Sequence, residues 1–340
     1  MDTTQTTPRR TALVLGASGS IGAAVAEALA ARGWAVRGLA RDAAKAQAAW
    51  QGPAGAMQWV AGDAMTAGDV LTAAQGVQVI VHAVSPAGYR DWDKLVLPMI
   101  DNTIAAARKV GARILLPGTI YNFDPAATPV VLDGSPQRPG SHKGQIRVAL
   151  EQRLEAASAE VPVLIVRAGD YYGPRVKSSW FAQAMVVQGQ PVTSIKRMTP
   201  DGIGHGWAYL PDLAEAMARL LEHPGLRSFE RVGFEGFWDA DGQGLPNLVA
   251  EALGREALQT LKLGRFPWWL MRLAAPFGGF PREAVDILPY WRNPVRIDNS
   301  RLVGLLGTEP RTPAVQAMRA TLKALGCMPA AAGSARLATR

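Results

Sequence analysis

Three glycines, each three residues from the next, separate an apolar segment from a helical one near the start of the chain. Residues 11–15 have the composition of a buried strand, and residues 21–32 have the spacing of an amphipathic helix. Between them lie Gly16, Gly19 and Gly22. Glycine permits a tight turn and lets backbone N–H groups approach a ligand, while the following helix presents the positive end of its dipole. The turn therefore predicts a strand–loop–helix unit that binds a pyrophosphate.

Short apolar runs and alanine-rich helical stretches alternate through the first half of the chain. Strands are expected at residues 11–15, 35–40, 58–60, 77–84, 113–117 and 161–168, with helices at 21–32, 43–50, 65–74, 97–110 and 145–159. Strands joined by helices form parallel sheets with right-handed crossovers. The predicted fold class is α/β, a Rossmann-type doubly wound parallel sheet.

The pattern changes after Gly173, where proline, glycine and tryptophan become denser. A dinucleotide-binding domain is expected over residues 9–173 together with a helical segment at 205–223. A smaller, mixed substrate-binding lobe is expected from residues 174–204 and 228–327. Residues 1–8 and 328–340 are expected to be disordered.

The net charge of +8 invites a nucleic-acid interpretation, but the arginines are scattered and no zinc finger is possible with Cys327 alone. Sites for phosphorylated ligands account better for the basic surface, and we expect a small-molecule substrate, no nucleic-acid partner and no bound metal. No apolar segment follows Met1. We therefore expect no signal peptide, no membrane span and a cytoplasmic location.

The residues after the second predicted strand bear on the choice of cofactor. An acidic side chain at the end of this strand accepts hydrogen bonds from the adenosine ribose of NAD, but here the position is Ala40 and Arg41 follows. A guanidinium suits a 2′-phosphate, so NADP(H) is predicted in preference to NAD(H). Arg37 lies on the same strand as a less direct contributor, and Asp42 is expected to cap the next helix.

The turn Gly-x-x-Gly-x-x-Gly resembles that of the extended short-chain dehydrogenase/reductase superfamily, the NAD-dependent epimerase/dehydratase group, over about residues 10 to 325. The resemblance implies an adenine-edge contact at Asp63 and a cofactor-lining segment around Ala83. His82, beside it, is interpreted as a packed strand-end histidine. The implied cofactor contacts are Gly16, Ser18, Gly19, Ser20, Ile21, Gly22, Arg41, Asp63, Ala83, Lys143 and Arg147.

The catalytic pair of that superfamily, Tyr-x-x-x-Lys, does not occur in this sequence. The helix that should carry it resembles the family's Lys-to-Glu spacing at Arg147 and Glu151, which puts Arg147 at the lysine position and Lys143 at the tyrosine position. Two cations one turn apart cannot act as a phenol and its activator. They would instead bind an anion, orient the nicotinamide ribose, or leave Lys143 as an acid/base group.

The end of the fifth predicted strand also resembles a family segment, one that ends in a Tyr-Gly pair. If Tyr121 matches its tyrosine, Pro117 stands at the usual serine, and Thr119 lies on the same face two residues later. Thr119 and Tyr121 are thus the candidate hydroxyl donors to a substrate. The alternative is that both are ordinary strand-end polar groups bonded to backbone.

Two later motifs resemble family segments that line the substrate lobe. The first, after the sixth predicted strand, contains Asp170, Tyr171 and Tyr172, and the second contains His205 and Trp207. All five are candidate pocket residues. The aromatic residues between Phe266 and Trp291 are expected to form a core or lid of this lobe, with membrane-surface contact and a subunit interface as alternatives.

Two functions are compatible with these residues. One is an NADP(H)-dependent oxidoreductase or epimerase-like enzyme that acts on a small carbonyl or hydroxyl substrate with non-standard acid/base groups. The other is a catalytically inactive NADP(H)-binding redox sensor or scaffold. The superfamily resemblance makes a homodimer the expected oligomer.

Overall fold

The computed structural model describes residues 10–86, 91–176 and 178–329. Contacts divide the chain into two compact units. The first contains the residues up to Ala168 with Pro211–Phe234 and Ile297–Pro310, and the second contains Gly169–Leu210, Glu235–Arg296 and the residues from Arg311. The residues expected to be disordered, 1–8 and 328–340, lie outside the described residues except for Met328 and Pro329.

The first unit is built on a seven-stranded parallel sheet with the order β11-β7-β5-β4-β1-β2-β3. This confirms the predicted α/β, Rossmann-type fold. The strands of the sheet are β1 (Thr11–Leu15), β2 (Ala35–Ala40), β3 (Met57–Ala61), β4 (Val79–His82), β5 (Arg113–Gly118), β7 (Val163–Arg167) and β11 (Phe229–Gly233), and a short β6 (Val130–Val131) lies outside it.

The central strands are largely apolar because helices cover both faces of a parallel sheet, and His82 at the end of β4 and Arg167 at the end of β7 are polar exceptions. Every residue of β4 and β7 is buried. The helices of this unit are α1 (Ser20–Ala31), α2 (Ala43–Ala49), α3 (Ala67–Ala73), α4 (Trp92–Val110), α5 (His142–Ala157), α6 (Leu210–Glu222) and α12 (Ser300–Leu306).

Two helices begin three or more residues earlier than the sequence predicts. One predicted helix starts at residue 97. Instead α4 begins at Trp92, and Trp92 and Val96 extend its buried face. Likewise α5 begins at His142 rather than at residue 145, because the Ser141 hydroxyl caps it by accepting a hydrogen bond from the Gly144 N–H at 3.1 Å.

The second unit contains a three-stranded sheet, β12-β10-β8, and a two-stranded parallel sheet, β13-β9. Its strands are β8 (Asp170–Tyr172), β9 (Ser194–Arg197), β10 (His205–Tyr209), β12 (Phe237–Asp239) and β13 (Lys262–Arg265). In the short β14 (Arg296–Ile297), only the first residue belongs to this unit. Its helices are α7 (Gly244–Leu253), α8 (Arg255–Thr260), α9 (Trp268–Ala274), α10 (Gly279–Asp286), α11 (Pro289–Arg292) and α13 (Ala314–Ala324). Among the described residues, no helix is long and apolar enough to cross a membrane.

The two units divide the chain differently from the predicted domains. Residues 228–234, expected in the smaller lobe, supply β11 at the edge of the seven-stranded sheet. Residues 205–210, expected with the dinucleotide-binding domain, supply β10 to the three-stranded sheet. Polar residues interrupt the apolar pattern of both β10 and β11, so composition alone does not assign either strand to a unit. The assignment depends on the strands with which each one pairs.

Candidate cofactor and catalytic site

The turn between β1 and α1 has no room for side chains at two of its glycines. Gly16 has φ +83°, and a Cβ there would lie 2.5 Å from the Ala83 carbonyl oxygen. A Cβ on Gly22 would lie 2.2 Å from the Gly16 carbonyl oxygen. The Gly19 N–H closes the turn on the Gly16 carbonyl at 2.9 Å. The glycines are therefore required by close backbone contacts and not only by flexibility.

This turn lies where the order of the sheet reverses. From β1 the chain builds β2 and β3 on one side and β4, β5, β7 and β11 on the other. In open α/β sheets, ligands bind at the carboxyl ends of the strands at such a switch point. Of the predicted contact residues, Ser18 and Gly19 are exposed and Ser20 and Ile21 are half-buried. Gly19 caps α1 without a side-chain hydrogen bond, so the helix end presents backbone alone, which fits a pyrophosphate.

The end of β2 presents one cation to solvent. Arg41 is exposed, and within residues 10–86, 91–176 and 178–329 its guanidinium has no hydrogen-bond or ion-pair partner. In contrast, Arg37 donates to the carbonyl oxygens of Ala73 and Gln75 and so braces α3. The Asp42 carboxylate accepts from the Lys45 N–H at 2.8 Å, the helix cap that the sequence predicts.

Asp63 and Ala83 are the two remaining cofactor candidates, and each follows a strand of the sheet. The Asp63 carboxylate accepts from the Met65 N–H at 2.9 Å, and its own N–H donates to Asp69 at 2.9 Å, which holds the loop after β3. Ala83 is half-buried, and its carbonyl oxygen faces Gly16. Ala83 therefore lies beside the glycine turn.

His82, at the end of β4, is a packed residue. Its Nδ1 lies 2.8 Å from the Thr103 hydroxyl, and that hydroxyl donates to the Met99 carbonyl. Burial, assisted by the positive charge of Arg147, lowers the pKa of His82 to about 3. The imidazole is therefore neutral across the physiological pH range.

The four candidate catalytic residues lie on two adjacent elements. Lys143 is buried in the first turn of α5, and Arg147 lies one turn later, where it donates to the Pro117 carbonyl at 3.3 Å. Thr119 and Tyr121, both half-buried, belong to the turn that follows β5. The structure thus places α5 against the end of β5.

Gly144 makes this close approach possible, and the sequence analysis missed it. A Cβ at this position would lie 2.2 Å from the Tyr121 carbonyl oxygen. The first turn of α5 therefore packs directly on the backbone after β5. A glycine beside Lys143 inside a helix was the available signal, because glycine is unfavourable there without a packing reason.

Thr119 caps the short 3₁₀ turn Ile120–Asn122. Its Oγ1 accepts a long hydrogen bond, 3.4 Å, from the Tyr121 N–H. Because Oγ1 is the acceptor in this bond, the hydroxyl proton remains available to donate to another group.

A buried polar network, also missed by the sequence analysis, holds both ends of this turn. The Glu151 carboxylate accepts from Arg167 at 2.8 Å and from Gln137 at 2.6 Å. Arg167 also donates to the Thr119 carbonyl, and Gln137 accepts from the Asn122 side chain at 3.0 Å. The network runs from one end of the turn to the other.

The charges in this network fix the ionisation of Glu151. Burial on its own would raise the pKa of Glu151, but the positive charge of Arg167 and the hydrogen bonds from Arg167 and Gln137 outweigh it, so the pKa lies below its ordinary value. Glu151 and Arg167 are only 3% and 6% exposed. The pair is therefore a fixed, buried support and not a surface contact.

The five candidate pocket residues lie in the second unit. His205 Nε2 is 2.8 Å from the Asp170 carboxylate, and the imidazole stacks on Trp291 with ring centroids 4.1 Å apart. Trp207 contacts His205 edge-on at 5.1 Å. His205 and Trp207, together with Arg197 and Trp291, line a small cavity of this unit.

The two tyrosines of the motif differ in burial. Tyr172 is buried against Phe181 and Tyr209, whereas Tyr171 is half-buried. The structure therefore brings Asp170, His205 and Trp207 together and places Tyr172 in the core of its unit.

Comparison with known proteins agrees with this geometry. A family model described as "NAD dependent epimerase/dehydratase family" matches residues 12–230. The chain belongs to the NAD dependent epimerase/dehydratase family. The matched region of this epimerase/dehydratase-family chain includes the glycine turn, all four candidate catalytic residues and all the candidate pocket residues.

Individual relatives of this family member are distant. A "3-diazoavenalumate denitrifying reductase" from Streptomyces sp is 30% identical over 179 residues, which cover 48% of this chain and 56% of the reductase. The match thus spans only about half of that relative. A UDP-glucuronic acid 4-epimerase from Bacillus cereus in complex with NAD has 15% identity and a TM-score of 0.68, covering 93% of this chain and 96% of that one. WbmH from Bordetella bronchiseptica in complex with NAD+ has 20% identity and a TM-score of 0.65, covering 93% and 98%. At these identities, the two structures show the shared fold.

Proposed function

We propose that this chain is an NADP(H)-dependent oxidoreductase or epimerase-like enzyme that acts on a small carbonyl or hydroxyl substrate. The observation that carries the cofactor preference is Arg41, an exposed cation without a partner among the described residues, directly after Ala40 at the end of β2. A 2′-phosphate would give its guanidinium a dianionic partner. An acidic ribose contact, typical of NAD-specific sites, is missing at this position.

The residues of the chain divide between binding and chemistry. The glycine turn would hold the pyrophosphate through backbone N–H groups and the α1 dipole. When bound, the cofactor supplies or takes up a hydride at its nicotinamide ring. Thr119 and Tyr121 would donate hydrogen bonds to the substrate oxygen. Lys143 would hold or deliver a proton there, and Arg147 would orient the nicotinamide ribose.

Substitution of the usual tyrosine by Lys143 also suggests which substrates suit the site. A carbonyl needs a proton once it has accepted a hydride, and an ammonium group can supply it. A strong electrophile needs none: when a hydride replaces an aryl diazonium group, a C–H bond forms and N₂ leaves with the electrons of the broken C–N bond. The denitrifying reductase among the relatives is named for a diazo compound. Electron-poor acceptors of both kinds are therefore the substrates to test.

A second candidate function is an inactive NADP(H)-binding sensor or scaffold. It is favoured by the replacement of Tyr-x-x-x-Lys by Lys143-x-x-x-Arg147. Both candidates bind the same cofactor, so hydride turnover is what separates them.

We expect Arg41→Ala to weaken NADPH binding about tenfold to a hundredfold and NADH binding less than about threefold. One charge-assisted hydrogen-bonded pair contributes roughly 1.5–3 kcal/mol, and NADH lacks the phosphate. Both dissociation constants can be measured by titration of the reduced cofactor's fluorescence.

Lys109→Ala, which removes another exposed cation in the last turn of α4, is the matched control and should change neither constant. Equal losses for NADPH and NADH in Arg41→Ala would contradict the proposed preference.

A further inference from the structure

Five large apolar side chains between residues 269 and 280 face solvent. Phe277 is 91% exposed, Trp269 67% and Leu273 65%, while Phe280 and Leu270 are 46% and 44% exposed. We call these five residues the apolar surface. Soluble proteins expose single apolar residues routinely, but a group this close in sequence marks an interaction site.

The core of this region is formed mainly by aromatic residues outside the apolar surface. Of the apolar surface, Phe280 also contacts this core, with its ring centroid 5.6 Å from that of the buried Trp180. Phe266, Trp268 and Trp291 pack around the buried Trp180 with ring centroids 5.8–6.3 Å away. Trp268 also donates from its indole N–H to the Met198 carbonyl at 2.8 Å. The stretch expected to be a core or lid is therefore divided between an inner set and the outward-facing apolar surface.

The exposed charges of the segment that carries the apolar surface are all basic. Residues 261–286 contain two acidic residues, Glu283 and Asp286, and both are half-buried in α10. The basic residues of this segment are Lys262, Arg265, Arg272 and Arg282, all of which are exposed. Arg265 forms an ion pair with Asp201 at 2.7 Å, and Arg282 donates a hydrogen bond to the Pro276 carbonyl at 3.4 Å. Within the described part of the chain, Lys262, Arg272 and Arg282 have no carboxylate partner, which leaves these three cations available to an anionic partner.

The combination of exposed apolar and basic residues favours one of two occupants of this surface, a second copy of the chain or a membrane. In a symmetric dimer the same patch meets its own copy, so these cations would face one another and repel. A bilayer containing anionic lipid offers an apolar interior for tryptophan, phenylalanine and leucine and phosphates for the arginines. The charge pattern therefore favours the membrane.

We propose that the apolar surface is a peripheral membrane-docking site for anionic phospholipid bilayers. Four of its residues lie in α9 and α10, and Phe277 lies in the 3₁₀ turn Ala275–Phe277 between them. With seven and eight residues, α9 and α10 are too short to cross a bilayer and would lie in its interface. The basic side chains would extend to the lipid phosphates while their aliphatic parts cover the apolar boundary. This inference is independent of the proposed enzymatic activity.

Co-sedimentation with vesicles tests the proposal. We expect the full chain to bind vesicles of phosphatidylcholine with 30% phosphatidylglycerol at least about tenfold more strongly than pure phosphatidylcholine vesicles. The triple variant Trp269→Ser, Leu273→Ser, Phe277→Ser should lower binding to the anionic vesicles at least about tenfold. Val187→Ser, which removes another exposed apolar side chain of the same unit, should leave it unchanged.

A charge variant and two further measurements complete the test. Arg272→Gln with Arg282→Gln should reduce the preference for anionic vesicles but not the weak binding to neutral ones. Circular dichroism melting shows whether each variant is folded. Failure of the folded wild-type chain to bind anionic vesicles would overturn the proposal. So would a triple variant that binds as well as wild type. If sedimentation velocity shows a dimer that the triple variant dissociates while vesicles go unbound, the occupant is a second copy.

Discussion

Gly22→Ala is expected to raise the dissociation constant for NADPH at least about a hundredfold. The new Cβ would lie 2.2 Å from the Gly16 carbonyl oxygen and 2.7 Å from its carbon, so the turn must move by about an ångström to relieve the clash. Its backbone N–H groups would then no longer converge on the pyrophosphate. Isothermal titration with NADPH measures the loss.

Substitution of two other glycines of the same unit should weaken NADPH binding less, or not at all. Gly68 lies in the first turn of α3, and a Cβ there meets no atom within 4 Å, so Gly68→Ala should leave binding unchanged. A Cβ on Gly19 would lie 3.3 Å from the Gly16 carbonyl oxygen, and Gly19→Ala should give an intermediate loss that remains measurable if Gly22→Ala does not fold. Near-wild-type binding by a folded Gly22→Ala variant would show that the turn does not hold the cofactor.

The second large effect concerns stability. Glu151→Ala is expected to lower the free energy of unfolding by about 3–5 kcal/mol, because it leaves the buried Arg167 guanidinium without its carboxylate. Urea denaturation measures the loss. Glu160→Ala is the control, because it breaks an exposed ion pair in which Glu160 is 62% and Arg108 44% exposed. It should lower the free energy of unfolding by less than about 1 kcal/mol.

The same residue gives the stability a pH dependence of known sign. The pKa of Glu151 is lower in the folded chain than its value of about 4.3 in an unfolded chain. The unfolded state therefore binds the proton first, and the stabilisation, complete above about pH 4.3, is lost as the pH falls through that value toward the folded pKa. Glu151→Gln should lack this component of the acid transition. If wild type and Glu151→Gln lost the same free energy of unfolding as the pH falls, the buried Glu151–Arg167 pair would not be the source of this pH dependence.

The fold could be predicted because its strongest signals are local. A buried parallel strand such as β1 or β7 is a continuous apolar run, and the glycine turn marks the strand-to-helix junction by itself. The cap at Asp42 was also predictable, since it depends on residues three positions apart. The start of α4 was predicted five residues too late, because only tertiary packing shows that Trp92 and Val96 belong to its buried face.

The support of the candidate site could not be predicted, because it joins residues far apart in sequence. Glu151 meets Arg167 and Gln137, and nothing in the local pattern of any of the three indicates the other two. The outward-facing side of the aromatic stretch was hidden for a similar reason. Composition gives its apolar content, but only tertiary packing decides that Trp268 turns inward and Trp269 outward.

The central claim is that the chain transfers a hydride although its usual tyrosine is replaced by Lys143. The most direct test incubates NADPH deuterated at nicotinamide C4 with a panel of carbonyl and aryl diazonium acceptors and follows deuterium into the product by mass spectrometry. We predict transfer to at least one acceptor. In Lys143→Met, the kcat for a carbonyl substrate should be about a hundredfold lower than in wild type, while the dissociation constant of NADPH stays within about threefold of the wild-type value. The claim would be contradicted if the chain bound NADPH tightly but reduced no acceptor, and if Thr119→Ala and Tyr121→Phe altered only its stability. The chain would then be a cofactor-binding sensor.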